Sequence, residues 1–117
     1  MNTYLLAMHY PAGPPPADVD MAAVMSELEK INADIRAAGG WVFAGGLEDI
    51  SAATTVRPGA DGAAPTLTDG PYLEAKEHLG GITVVRADDY DVVLDWAGRY
   101  AKATGLAMEV RPFARAH

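Results

Sequence analysis

The sequence contains no cysteine among its 117 residues. This absence excludes disulfide bonds, zinc sites built on thiolates and a cysteine nucleophile. The three histidines are far apart in the sequence and the carboxylates show no ligand spacing, so we expect neither a metal nor a cofactor. A chain without cysteine is typical of a cytoplasmic protein, and we expect that location for this one.

Basic residues are also few. Nine Lys and Arg stand against sixteen Asp and Glu, which gives a net charge of −7. An acidic surface repels phosphate backbones and anionic lipid headgroups, so we expect no nucleic-acid partner and no membrane partner. The first residues form only a short apolar run without a basic start, and they predict neither a signal peptide nor a transmembrane span. A Gly-Ser-Gly elbow, a phosphate loop and a dinucleotide fingerprint are all missing, which leaves hydrolase, kinase and NAD-dependent functions without support.

Half of the residues are hydrophobic and 21% are charged, proportions typical of an ordered globular chain. The length suits one domain, and we assign residues 1–117 to it. Apolar residues at spacings of three and four predict helices, and short apolar runs bounded by glycine or proline predict strands. In chain order the predicted elements are a strand from Thr3 to His9, a helix from Asp20 to Ala38, a strand from Trp41 to Ala44, a hairpin from Ala53 to Arg57 and Pro65 to Thr68, a strand from Gly81 to Ala87, a helix from Asp89 to Ala103 and a strand from Leu106 to Pro112.

The predicted helices carry recognisable end signals. Asp18 or Asp20 can cap the first helix, Asp88 the second, and Gly105 can end the second. The order of elements predicts an α+β fold, a ferredoxin-like antiparallel sheet with two helices on one face and an inserted β-hairpin. The strand before the second helix is the most apolar, so we expect it near the centre of the sheet. The face opposite the helices then needs a cover.

The stretch from Thr68 to Gly81, TDGPYLEAKEHLGG, combines a turn signal with a cluster of ionisable side chains. Asp69-Gly70-Pro71 favours a turn, and Gly80-Gly81 allows another chain segment or a ligand to approach closely. This stretch resembles the signature of the DGPF, or YCII-related, family, with Tyr72 in place of the Phe that gives the family its name. The likeness extends over nearly the whole chain. It implies a dimeric α/β-barrel, in which the sheets of a homodimer face each other across a two-fold axis.

Polar side chains at strand ends are the candidates for chemistry. His9 lies where the first strand leaves the sheet, a position that suits a general base, although a structural hydrogen bond to the loop is the alternative. The turn at Asp69 can approach the same end of the sheet, which predicts His9 and Asp69 as a catalytic pair. The predicted substrate-binding residues are Tyr10, Tyr72, Glu74, Lys76 and Arg111. The alternatives are a solvated charge run for Glu74 and Lys76, and a salt bridge at the dimer seam for Arg111.

In the wider YCII-related group, the resemblance implies a His-Asp dyad whose histidine lies near the start of the first helix. This chain has no histidine between Tyr10 and Glu77, so either His9 takes that place with Asp69 or this branch does not use that chemistry. Two functions remain. The first is a cofactor-free acid/base enzyme, of isomerase or lyase type, acting on a small organic molecule. The second is a non-catalytic module that binds a small ligand or regulates, which the resemblance associates with sigma-factor signalling.

Overall fold

A computed structural model of the chain describes residues 1–13, 18–72 and 76–114. Within these ranges every predicted helix and strand is present. The largest difference from the predicted bounds is at the fifth strand, which begins at Glu77 rather than Gly81. The elements are β1 (Asn2–Pro11), α1 (Met21–Ala37), β2 (Trp41–Gly46), β3 (Thr54–Arg57), β4 (Thr66–Asp69), β5 (Glu77–Ala87), α2 (Tyr90–Thr104) and β6 (Ala107–Pro112), with single-turn 3-10 helices at Ile50–Ala52 and Ala60–Gly62.

Four of the strands form an antiparallel sheet in the order β2-β5-β1-β6. Because β1 and β2 both run antiparallel to β5, they are parallel to each other, and α1 connects them; α2 connects β5 and β6 in the same way. Two interlocked βαβ units of this kind make a ferredoxin-like α+β fold. The predicted fold class is therefore confirmed, including the position of β5 inside the sheet. Strands β3 and β4 form a separate two-stranded sheet.

Both helices lie on one face of the four-stranded sheet, as predicted. Alternate residues of a strand point to the same face, so each of the two central strands gives one row of side chains to the core. The helices supply the facing apolar stripe. The buried core consists of Tyr4, Leu6, Ile31, Ile35, Val85, Ala87, Val93, Trp96, Ala97 and Tyr100.

The helix ends follow the sequence signals with one correction. Asp20 caps α1, since its carboxylate accepts a 3.1 Å hydrogen bond from a backbone N–H in the first turn. The cap of α2 is Asp89, which accepts a corresponding bond of 2.9 Å, so the prediction of Asp88 was wrong by one residue. The helix begins one residue later than expected, and Asp88 instead lies 3.5 Å from the N-terminal ammonium of Met1. Gly105 ends α2 with φ of 71°, a left-handed conformation that favours glycine.

The sheet face opposite the helices is uncovered in the described part of the chain, and we call it the open face. Strand register places on it Thr3, Leu5, Ala7, His9, Phe43, Ile82, Val84, Glu109 and Arg111. Phe43 is 55% exposed there. The Cα atoms span 49 × 40 × 17 Å, with a radius of gyration of 16.6 Å, whereas a compact domain of this length has about 13 Å. The molecule is therefore a flat slab of one sheet and one helix layer.

The hairpin of β3 and β4, residues 54–69, extends from the rest of the fold, and we call it the arm. Its two strands pack chiefly on each other, and they pair in the register Thr54 with Asp69 through Arg57 with Thr66. Within the described residues, neither α-helix is long and apolar enough to cross a membrane.

Candidate functional site

Three polar side chains form a row across β1 and β6 on the open face. His9 and Glu109 are diagonal neighbours on adjacent strands, and their side chains meet with 3.6 Å between His9 Nε2 and Glu109 Oε1. The other carboxylate oxygen of Glu109 lies 2.9 Å from Arg111 Nη2. Glu109 and Arg111 are two residues apart on one strand, so they share a face. A single carboxylate thus links an imidazole to a guanidinium.

The charges in this row support one another. The hydrogen bond and positive charge of Arg111, and then the contact with His9, hold the pKa of Glu109 below its usual range. The carboxylate therefore stays ionised at neutral pH. Because Nε2 of His9 faces that carboxylate, the neutral imidazole carries its proton on Nε2 and leaves Nδ1 as the acceptor nitrogen.

An apolar surface continues from this row across the centre of the open face. It is formed by residues that are cross-strand neighbours in the sheet, and it remains partly open to solvent. An organic molecule bound here would contact this apolar surface, which we call the floor, and would meet the polar row at the edge of the floor. The floor consists of Leu5, Ala7, Phe43, Ile82 and Val84.

A second region lies where β2 has ended and the edge of β5 continues. A cavity of about 330 Å³, open to solvent, lies against His78. It is bordered by the loop after β2, the first 3-10 helix and the turn at Pro71. Asp49 also lines it, and its carboxylate accepts a 3.0 Å hydrogen bond from the N–H of Ser51. Hydrogen bonding from the Ser51 side chain, and then this backbone bond, lower the pKa of Asp49, and the charge of His78 adds a small effect in the same direction. The remaining lining residues are Leu47, Glu48, Ile50, Ala52, Ala53 and Leu79.

Tyr10 joins the two regions. It pairs with His78 in the sheet, next to the pair of His9 with Leu79, and the ring centroids of Tyr10 and His78 are 6.1 Å apart. The Tyr10 ring lies directly over Gly80, where a Cβ atom would be 2.5 Å from Tyr10 Cδ1. The close approach expected at the glycine pair is therefore made by this side chain.

The other predicted site residues are distributed between the arm and its surroundings. Asp69 ends β4, opposite Thr54, and no hydrogen bond or ion pair among the described residues joins it to His9. Tyr72 is 69% exposed, with the guanidinium of Arg57 5.3 Å from its ring centroid. The carbonyl of Lys76 accepts a 2.9 Å hydrogen bond from the N–H of Ala12. Glu74 lies outside the described residues.

Sequence reasoning missed Glu109 as the carboxylate beside His9. The sequence carried part of the information needed to find it, since the spacing of Glu109 and Arg111 places them on one face. The register of β6 against β1, however, cannot be read from either strand alone. Sequence reasoning also gave no role to His78 and Asp49, which are distant in sequence and meet only at the cavity. Within residues 1–13, 18–72 and 76–114, no three His, Asp or Glu side chains come together in a way that could hold a metal ion.

Comparison with models of known protein families identifies the family of the chain. The family model of the YCII-related domain matches residues 3–114, nearly the whole chain. No curated protein matches the chain.

Proposed function

Because the chain belongs to the YCII-related domain family, we propose that it is a cofactor-free enzyme that moves a proton on a small organic molecule bound against the open face. The observation that carries this proposal is the row of His9, Glu109 and Arg111 beside an apolar floor. A histidine acting as general base is oriented by an acceptor that holds its second nitrogen, and the substrate has to be positioned beside it by a surface.

The chemistry uses groups already present in the row. His9 Nδ1 takes a proton from a carbon next to a carbonyl group, which leaves an enolate and an imidazolium whose charge Glu109 offsets. If that proton returns to a different atom of the enolate, the reaction is an isomerisation. If the enolate instead expels a leaving group, the reaction is an elimination of the lyase type. Arg111 uses one Nη for Glu109 and has further N–H donors for an enolate or carboxylate oxygen, so an oxo acid is the substrate class that fits.

A homodimer is part of this proposal. One copy leaves an apolar sheet face open, and soluble proteins seldom expose a contiguous apolar patch larger than several hundred Å². A second copy packed against this face covers it and excludes water from the row. The absence of cysteine supports a cytoplasmic location for this assembly.

Proton exchange tests the enzymatic proposal without knowledge of the natural substrate. The wild-type protein is incubated in D2O with a panel of small 2-oxo and 3-oxo acids, and loss of C–H signals is followed by proton NMR. We expect exchange above the buffer rate for at least one acid, and a decrease of at least about 100-fold in His9→Gln, the range typical of a lost general base. His78→Gln is the matched histidine control and should retain exchange. Equal rates in wild type and His9→Gln would refute the role of His9.

A non-catalytic ligand-binding or regulatory module is the second candidate, and the cavity beside His78 favours it. Most of its lining is apolar, from Leu47, Ile50 and Leu79 among others, as is usual for sites that bind without reacting. Saturable binding of a panel compound without exchange, abolished in His78→Gln and retained in His9→Gln, would support this function over the first.

A further inference from the structure

Among the described residues, the strands of the arm pack chiefly on each other. Two-stranded hairpins are marginally stable in water unless a third strand, a helix or another surface covers them. Within the described residues, the strands of the arm pair only with each other. The hydrogen bonds at its base are also internal: Gly70 N–H donates to Ala53 O and Thr55 Oγ1 donates to Gly70 O, both at 2.8 Å.

One face of the arm is apolar and open to solvent. Val56 and Leu67 are directly opposite each other in the register, and they are 60% and 71% exposed. The next pair on the same face is Thr54 with Asp69, since residues two apart in a strand share a face. Whatever surface covers Val56 and Leu67 therefore also receives the carboxylate of Asp69.

The open face of the same molecule cannot be that surface. All Cα atoms fit within a thickness of 17 Å, which is filled by one sheet and one helix layer, so the arm extends beside the sheet and does not fold over it. A second copy offers the missing partner, because it presents the same open face with exposed Phe43. In a dimer with two-fold symmetry each arm packs on the open face of the other copy, so both arms are covered. The broad side of the slab, with the arm included, measures 49 × 40 Å, which is about two and a half times the roughly 800 Å² that each partner buries in a stable complex.

We propose that each arm packs its Val56–Leu67 face on the open face of a second copy and carries Asp69 to the His9 row of that copy. The site is then composite, with Asp69 acting across the interface. The assignment of His9 as the group that meets Asp69 rests on the proposed function, whereas the docking of the arm does not.

A charge placed on either side of the arm tests the docking. Leu67→Asp puts a carboxylate on the apolar face, and Thr66→Asp puts the same charge on the neighbouring residue, which is exposed and points to the opposite face. By light scattering after size exclusion at micromolar concentration, wild type and Thr66→Asp should have twice the chain mass of 12.3 kDa, and Leu67→Asp should be monomeric. A monomeric wild type, or a Leu67→Asp protein that stays dimeric, overturns the proposal.

Cross-linking keeps the test valid if Leu67→Asp disturbs the arm itself. Because the chain has no cysteine, Leu67→Cys and Phe43→Cys each give a protein with one thiol. A short bis-maleimide added to a mixture of the two should give a covalent dimer between unlike variants. Failure to link them, with the wild-type dimer intact, overturns docking on the open face.

The position of Asp69 has its own readout. Asp69→Asn protomers labelled with 15N and 13C are mixed with a large excess of unlabelled His9→Gln protomers and left to exchange subunits, so nearly every labelled His9 faces an unlabelled wild-type Asp69. The imidazole shifts of His9 should differ between wild type and Asp69→Asn and return to the wild-type values in the mixture. Unchanged shifts in Asp69→Asn overturn the composite site. Restored shifts without any proton exchange retain it and refute the enzymatic proposal alone.

Discussion

Gly80 is expected to tolerate no side chain without rearrangement, because the ring of Tyr10 occupies the space where a Cβ would lie. In Gly80→Ala the new Cβ would lie 2.5 Å from Tyr10 Cδ1 and 2.8 Å from Cε1. Carbon atoms do not approach so closely, so one of the two side chains has to move. Gly80 itself has no partner in β1, because the register shifts between Met8 and His9. Its neighbours Leu79 and Gly81 do pair with β1, and its carbonyl accepts a 2.9 Å hydrogen bond from Leu47 N–H, which limits how far the backbone can move.

Two limits bracket the loss of stability. Forcing an extra methyl group into an occupied space costs about 1–3 kcal/mol. The upper limit is the energy needed to swing the Tyr10 ring into solvent. Tyr10 is half-buried, so about 100 Å² of contact is lost, which at 25 cal/mol per Å² amounts to about 2.5 kcal/mol. We therefore expect Gly80→Ala to lower the free energy of unfolding by about 1–2.5 kcal/mol.

Urea denaturation followed by circular dichroism measures this change. With a slope of about 1–3 kcal/mol per M, the midpoint should fall by roughly 1 M. Gly46→Ala is the matched control in the adjacent strand, because a Cβ built there meets nothing within 4 Å; it should be neutral or slightly stabilising. Protein concentration has to be equal in all samples, since subunit association would shift the midpoint.

A double-mutant cycle isolates the contact itself. In a Tyr10→Ala background the ring is gone, and the further change Gly80→Ala should cost almost nothing, so the two substitutions should be strongly non-additive. If Gly80→Ala destabilises equally in both backgrounds, its effect comes from the backbone, and contact with the Tyr10 ring is refuted as the cause.

Three further outcomes follow from contacts elsewhere in the fold. Tyr100→Phe removes the 2.5 Å hydrogen bond to Asn32 Oδ1 that joins the two helices, and urea denaturation should show a loss of about 0.5–1.5 kcal/mol. Arg111→Gln removes the main cause of the lowered pKa of Glu109, so NMR titration should show that pKa rising toward its ordinary value. In wild type the ion pair contributes above the carboxyl's ordinary pKa and is lost as pH falls through the lowered one. Asp89→Ala should lower stability by about 1 kcal/mol through loss of the α2 cap, measured as a fall in Tm.

The sequence predicted the fold well because local signals and burial agree along most of the chain. Both helices show apolar residues at helical spacing, and β5 carries apolar residues on both faces at Ile82, Val84 and Val85, as its position between β2 and β1 requires. The cap of α2 shows the limit of this reasoning. Asp88 and Asp89 are equally good caps by residue type, and only the first turn of the helix decides between them.

The candidate site was predictable only in part, because it depends on strand register. His9 was expected in the site because it lies where the first strand leaves the sheet, and Arg111 because its planar guanidinium suits an anionic substrate group. That Glu109 lies between them follows from the pairing of Ala7 with Glu109, and a shift of one residue would turn Glu109 to the helix side. No feature within β6 alone distinguishes these two registers. The pairing of His9 with Asp69 stays a prediction for the same reason, since the two residues belong to different sheets.

The turn motif that identifies the family has a structural task at the base of the arm. Gly70 has φ of 104°, a conformation that residues with a Cβ rarely adopt. Its N–H and its carbonyl are both bound by the other side of the arm, by Ala53 and Thr55. The motif therefore ends β4 and fixes the direction in which the arm leaves the sheet. A motif of this kind determines where Asp69 points without contact to the His9 row of its own chain. If the arm docks on a second copy, a change in this turn would redirect the arm and the Asp69 carboxylate together. The glycine at position 70 and the use of Asp69 in the site therefore depend on each other.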